Sequence, residues 1–319
     1  VGILNNQIAV VVPAYKVRAH ILDVLSGIGP EVARIYVVDD ACPEGSGDLV
    51  LEQTKDPRVR VIKNQKNLGV GGAVCAGYEA ALKDGTDVIV KLDGDGQMNP
   101  AQIQSLIAPI VAQRADYTKG NRFASLTGLR QMPSVRVMGN GGLSFLTKLS
   151  TGYWNITDPT NGFTAIHKSV LEKLPLDMLS KRFFFESDLL FRLSLLKAVV
   201  VDVPMEAQYG QEKSNLNVFV AAFEFGWKHW INFHKRFFYN YYLRDMSAAS
   251  LELPIGSLLF WFGVIFGVIK WNHSIVSGHT ATAGTVMLSS VSLIIGLQLI
   301  LAFVNFDVAQ VPKNPIQKA

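Results

Sequence analysis

Asp87-Val88-Ile89-Val90-Lys91-Leu92-Asp93-Gly94-Asp95-Gly96-Gln97 is the stretch that decides the fold. Its first half is a short, mostly apolar run, the pattern of a strand buried on both faces of a parallel sheet. Its second half sets two carboxylates two residues apart around a glycine, where such a strand ends. Earlier runs repeat the pattern. Ile8–Pro13 reads as a first strand closed by proline, Arg34–Asp40 as a second ending in two carboxylates, and Val59–Ile62 as a third. Between them, Arg18–Ile28, Glu44–Thr54, Ala73–Lys83 and Ala101–Ala112 read as helices, with Pro100 at a first helical position. Strands alternating with helices of this length give an α/β fold: a Rossmann-like, mostly parallel, doubly wound sheet. Ligands in such sheets sit beyond the carboxyl ends of the strands, which is where Asp39, Asp40, Asp93 and Asp95 fall.

Asp93 and Asp95 can share a divalent cation, and hard oxygen ligands beside phosphates suit Mg²⁺ or Mn²⁺. Such a cation neutralises a nucleoside diphosphate as it leaves, and Gln97 offers a neutral oxygen to the same site. The three-residue pattern alone reads equally as a solvated turn; its strand-end position beside Asp39 and Asp40 favours a site. Gly69, Gly71 and Gly72 form GxGG after the third strand, which is not the GxGxxG dinucleotide fingerprint after a first strand. A tight turn near a nucleotide and plain helix packing both stay open for it. The histidines show no metal-ligand spacing.

The 319 residues carry a net charge of +4, too mild to call for nucleic acid. Mean hydropathy is +0.23 with 18% charged residues, and the apolar excess lies mainly after Leu251. Cys42 and Cys75 lack metal spacing and read as free thiols of a reducing compartment. The N-terminal residues lack a signal-peptide pattern. From Val218 to Met246 aromatic side chains interleave with Lys228, His229, His234, Lys235, Arg236 and Arg244, the composition of a helix lying in a membrane interface. Pro254–Trp271 and Gly284–Phe306 are each long enough, at 1.5 Å per residue, to cross a hydrocarbon core of roughly 30 Å. The connector Asn272–Ala283 has no Lys or Arg, whereas the basic helix precedes the first span and Lys313 and Lys318 follow the second. The positive-inside rule therefore places both ends in the cytoplasm. Neither span carries the intramembrane charges that ion and transport paths use.

The ordered set Val11-Val12-Pro13-Ala14-Tyr15, Val37-Val38-Asp39-Asp40, Asn67-Leu68-Gly69, Lys91 to Gln97 and Gly120-Asn121-Arg122-Phe123 resembles the family 2 glycosyltransferases of the GT-A fold. Within these it is most similar to the polyprenyl-phosphate glycosyltransferases, the dolichol-phosphate and undecaprenyl-phosphate enzymes among them, over about residues 8–215. The resemblance implies inverting transfer of a sugar from a nucleotide-diphosphate sugar to a polyprenyl phosphate. Pro13, Tyr15, Asp39, Asp40, Gly69 and Asn161 are then donor-binding, and Asp93, Asp95 and Gln97 hold metal and diphosphate. Glu186 and Asp188 form an acidic pair near the acceptor, whose phosphate Arg122, Arg136 and Lys213 hold. Lys16-Val17 and Gln208 depart from the family pattern, where Asn-Glu and Arg are usual. The implied organisation is a catalytic domain over 1–215, interfacial helices over 216–250 and a membrane anchor over 251–319, with room for homo-oligomerisation but no specified number. Two other readings are an enzyme extending a lipid-linked or polymeric glycan with Glu186 as general base, and a noncatalytic nucleotide-sugar-binding scaffold.

Overall fold

The computed structural model describes residues 7–124, 134–205 and 218–318, excepting the side chains of 134–138 and 218–222. Seven strands form one sheet: β1 Ile8–Ala14, β2 Arg34–Asp39, β3 Val59–Lys63, β4 Val88–Lys91, β5 Tyr117–Asn121, β6 Thr164–His167 and β7 Val200–Pro204. Their spatial order is β3-β2-β1-β4-β6-β5-β7. β1 pairs in parallel with β2 and β4, β2 with β3, and β5 with β7; only β6 runs antiparallel, between β4 and β5.

The helices are α1 Ile21–Ser26, α2 Ser46–Gln53, α3 Val70–Lys83, α4 Ile103–Val111, α5 Ser134–Thr151, the single turn α6 Lys168–Leu171, α7 Phe185–Leu196, α8 Val218–Phe238, α9 Ala249–Ser277 and α10 Ala283–Ala309. The apolar strands are buried on both faces because the period of two splits each between two cores. Val10, Val12, Ile35, Val37, Val88 and Val90 face the core that takes in α1, α2 and α4. Ala9, Val11, Tyr36, Val38 and Ile89 face the other, built with α3 and α7. α1 is shorter than the Arg18–Ile28 stretch, stopping before Gly27 and the Gly29-Pro30 pair. Pro100 opens a 3₁₀ turn rather than α4 itself, with the Asn99 side chain accepting from the Ala101 N–H at 3.0 Å.

Two compact units result, one of Val1–Phe233 with Pro312–Ala319, the other of His234–Val311. In the first, α8 buries one side and exposes the other. His229 is buried, with Nδ1 2.8 Å from Ser150 Oγ and its ring against Phe184, whereas Phe223, Trp227 and Trp230 are exposed. Their spacing of four and three residues puts the last three on one helical face. Burial pushes the His229 imidazole down to about 4, so it is neutral at physiological pH. The tail is pinned to the same unit: the Ile316 and Gln317 N–H groups donate to the buried Asp116 carboxylate at 2.9 and 3.0 Å.

The second unit holds α9 and α10, both mostly exposed and long and apolar enough to cross a membrane. They approach closely through small residues: a Cβ on Gly296 would lie 2.4 Å from the Phe260 nitrogen, and one on Gly263 2.7 Å from that of Leu293. At one end of α10, Asp307 accepts from both Arg236 Nη atoms, at 2.7 and 3.0 Å, and from the Tyr241 hydroxyl at 2.6 Å.

α3 packs on β1 through Gly77, where an added Cβ would meet Val11 Cγ1 at 2.3 Å. Gly77→Ala should therefore lose about 1–3 kcal/mol by overpacking and lower the melting temperature. Gly139→Ala, on α5 with open space around it, is the control and should leave the melt unchanged or slightly raised.

Candidate active site

The carboxyl ends of β2, β1 and β4 lie side by side, and a cleft of about 760 Å³ opens above them. Its walls include Pro13, Tyr15 and Lys16 from the end of β1, Asp40 from the end of β2, Gly69 and Val70 at the start of α3, Asp93 and Asp95 after β4, and Arg182 and Phe183 before α7. Sequence positions far apart thus converge because parallel strands deliver all their carboxyl ends to one edge.

The paired aspartates of β2 divide their work. Asp39 turns inward: its carboxylate accepts from the Cys42 and Gly47 N–H groups, each at 2.7 Å, and so anchors the start of α2. It does not line the cleft. Asp40 does, and its carboxylate accepts from Asn64 Nδ2 at 2.8 Å and from the Leu68 and Gly69 N–H groups at 2.9 and 2.7 Å. The loop 64–69 is thereby tied to β2. Gly69 has φ of 87°, and a Cβ there would lie 2.5 Å from the Lys181 carbonyl oxygen. At Gly71 the Ser180 oxygen would be 2.4 Å away. The GxGG stretch therefore serves close packing of segment 180–185 on α3 as well as a turn beside the cleft.

Beneath Asp93 lies a buried charge network. Lys91 Nζ is 2.8 Å from Asp93 Oδ1, 3.1 Å from Glu186 Oε1 and 3.2 Å from the Gly162 carbonyl oxygen, with the lysine side chain only 1% exposed. Burial alone would drive this ammonium toward neutrality; Asp93 and Glu186 outweigh it and raise the pKa above the ordinary lysine value. Gly162 has to be small, since a Cβ would sit 2.5 Å from both Asp93 Oδ2 and Lys91 Nζ. A second buried lysine, Lys119, donates to the Asn161 carbonyl oxygen, and burial lowers its pKa to about 8 against the attraction of Glu186 and Asp158.

The remaining predicted residues stand around rather than on the cleft surface. Asn161 is buried, its Oδ1 accepting from the Phe163 N–H at 3.0 Å. Gln97 is exposed, and its N–H donates to Asp95 Oδ1 at 3.0 Å. Asp188 is buried, accepts from the Ser180 N–H at 2.9 Å and pairs with Arg192 at 3.3 Å. Arg122 donates through Nε and Nη2 to the fully buried Asp158 at 2.7 and 2.9 Å. Arg136 lies on α5, its side chain outside the described residues, as is all of Lys213. Lys91, Lys119 and Arg182 are the residues that sequence reasoning passed over. For Lys91 a signal exists: a lysine inside an otherwise apolar buried strand needs a partner, and the carboxylate two residues on is an obvious one.

Among the described residues no cluster of three or more His, Cys, Asp or Glu forms a closed metal cage. Asp93 and Asp95 instead bring carboxylate oxygens to the cleft wall, one Asp93 oxygen already against Lys91 and Asp95 Oδ1 accepting from the Gln97 N–H. That fits a cation whose other positions are filled by water and diphosphate oxygens, the usual habit of Mg²⁺.

The family model described as glycosyl transferase family 2 matches residues 9–175. A polyprenol monophosphomannose synthase of Mycolicibacterium smegmatis is 32% identical over 230 residues, 69% of this chain and 86% of that protein. A UDP-N-acetylglucosamine–dolichyl-phosphate N-acetylglucosaminyltransferase of Methanococcus voltae is 30% identical over 219 residues, 64% of this chain and 87% of that protein. Glucosyl-3-phosphoglycerate synthase of Mycobacterium tuberculosis, solved with Mn²⁺, UDP and glucosyl-3-phosphoglycerate, shares the fold with a TM-score of 0.55 at 18% identity, over 72% of this chain and 80% of that one. The chain belongs to glycosyl transferase family 2.

Lys91→Met should leave Asp93 and Glu186 as uncompensated carboxylates and cost about 3–5 kcal/mol, read as a lower melting temperature. Mn²⁺ affinity should change with it. Adding Glu186→Gln to Lys91→Met should recover part of the loss, because one orphaned charge is then removed.

Proposed function

We propose that this family 2 glycosyltransferase moves one sugar from a nucleotide-diphosphate sugar to a polyprenyl phosphate at the cytoplasmic face of a membrane, inverting the anomeric carbon. The observation that carries the reading is the cleft: Asp93 and Asp95 face the same space as Asp40, Tyr15 and Arg182, at the edge where α/β sheets bind nucleotides. The relatives named for dolichyl and polyprenol phosphate substrates support the lipid acceptor. So do the exposed aromatic face of α8 and the two long apolar helices. The tail after α10 is bound to Asp116 of the catalytic unit, and α8 precedes α9 from that unit as well. A hairpin of two spans, with the connector alone on the far side, accounts for that return.

Pro13, Tyr15 and Asp40 would hold the nucleoside end of the donor, with Asp40 fixing loop 64–69 so that the wall is rigid before binding. A divalent cation held by Asp93 and Asp95, with Gln97 at the same turn, would neutralise the departing diphosphate. Lys91 fixes Asp93 from below. Glu186 shares that lysine, so its carboxylate is held in an ion pair. This supports an orienting role over that of a general base, and a phosphate acceptor needs no base: it is already anionic and requires position and charge compensation. Arg122 supplies a cation near the acceptor, oriented by Asp158, with Arg136 and Lys213 as further phosphate-holding groups.

The test is transfer from a panel of uridine and guanosine diphosphate sugars to undecaprenyl and dolichyl phosphates, with Mg²⁺ or Mn²⁺ and with chelator. Turnover should require the cation. Asp95→Asn should abolish it by at least about a hundredfold, the scale of losing an electrostatic catalytic group, with the melt unchanged. Near-normal turnover of that variant, or full activity in chelator, contradicts the metal assignment. Nucleotide binding without transfer to any lipid phosphate would favour the scaffold reading.

A further inference from the structure

We propose that Arg182 is the protein's own cation for the donor diphosphate, touching the phosphate that leaves with the nucleotide; this rests on the reading of the cleft as the nucleotide-sugar site. Lys16 and Arg182 are the two basic residues among the described residues lining the cleft, which also presents Asp40, Asp93 and Asp95. Three other basic side chains close ion pairs with carboxylates: Lys91 with Asp93 and Glu186, Arg122 with Asp158, and Arg192 with Asp188; none of the three lines the cleft. Arg182 is exposed and makes no ion pair with any described residue. An arginine that faces two carboxylates across an open cleft without closing on either is placed for an anion that arrives with its own cation.

Its base is rigid although its head is exposed. The Lys181 carbonyl accepts from the Gly72 N–H at 3.2 Å, and the Arg182 carbonyl accepts from the Phe185 N–H at 2.9 Å. Ser180 donates to the buried Asp188 at 2.9 Å. Phe184 is buried, with the rings of Phe225 and His229 against it at 5.5 and 5.0 Å between centroids. Gly69 is what admits the segment, because a Cβ there would lie 3.0 Å from Arg182 Cγ. A side chain mounted this firmly loses little backbone freedom on binding.

The chemistry selects the phosphate rather than the sugar. As the anomeric C–O bond breaks, its electron pair stays with the oxygen of the diphosphate, whose negative charge rises by one. A guanidinium presents a planar fork that pairs two phosphate oxygens at once and cannot deprotonate, so it gains strength as that charge develops. Lys16 is a weaker candidate for this role: its ammonium stands over the Tyr15 ring, 5.7 Å from the centroid.

The experiment is calorimetric titration of the detergent-solubilised full chain, in Mn²⁺, with uridine and guanosine diphosphates and the matching monophosphates, for wild type, Arg182→Gln and Arg182→Lys. Diphosphate affinity should fall about tenfold or more in Arg182→Gln, the scale of one charge-assisted hydrogen-bonded pair, and less in Arg182→Lys. Monophosphate affinity and the KM for polyprenyl phosphate should stay within about twofold, inside the tolerance of a surface substitution. Equal diphosphate affinity in wild type and Arg182→Gln overturns the assignment, as does an equal loss for both phosphate classes or a rise confined to the acceptor KM. If the wild type binds no nucleoside diphosphate, the cleft reading itself falls and the Arg182 assignment with it.

Discussion

A single buried ammonium holds the centre of this molecule together. Lys91 ends β4, and its Nζ lies within 3.2 Å of Asp93, Glu186 and the Gly162 carbonyl, three groups from three separate segments. A buried charge is tolerated only when paired and hydrogen-bonded, so the lysine constrains each partner as strictly as they constrain it. Asp93 is thereby fixed in the cleft wall, α7 is tied by its first turn to the sheet, and the segment 161–163 is pressed close enough that position 162 admits no side chain. The antiparallel strand β6 follows at once from that segment, so the network also marks where the sheet changes from parallel to antiparallel.

That constraint separates two parts of the site. On one, Asp40 organises loop 64–69 and segment 180–185 closes over α3, giving walls fixed by backbone hydrogen bonds. On the other, Arg122 and Asp158 are paired. Between them Glu186 is occupied by Lys91, which is consistent with an acceptor that brings its own negative charge. α8 divides in the same way: it turns His229 and Asn232 inward and leaves the rings of Phe223, Trp227 and Trp230 exposed, beside Glu224.

Much of this was legible in the sequence. The short continuous apolar runs Ile8–Val12 and Val88–Val90 announced strands buried on both faces, and the aspartates after the second and fourth strands, Asp39, Asp40, Asp93 and Asp95, announced the cleft edge. The apolar helices were legible from length and composition, although each extends several residues beyond the apolar stretch: α9 covers 249–277 and α10 covers 283–309. The extensions include polar residues such as Asp307, which a hydropathy reading trims but which pairs with Arg236 and accepts from the Tyr241 hydroxyl in three dimensions. Sequence could not say which of Asp39 and Asp40 faces the cleft, because one residue's difference in register exchanges the inside of the sheet edge for the cleft. Nor could it pair Lys91 with Glu186, 95 residues away. Arg182 was passed over for a related reason: only the fold brings the approach to α7 across from β4.

If the cleft delivers a single sugar to a lipid phosphate, as proposed, mass spectrometry of the lipid product before and after mild acid reads it out. The product expected is a polyprenyl phosphate heavier by one sugar, which mild acid returns to free sugar and polyprenyl phosphate. A product that withstands the acid, or one lengthened by several sugars, would contradict it.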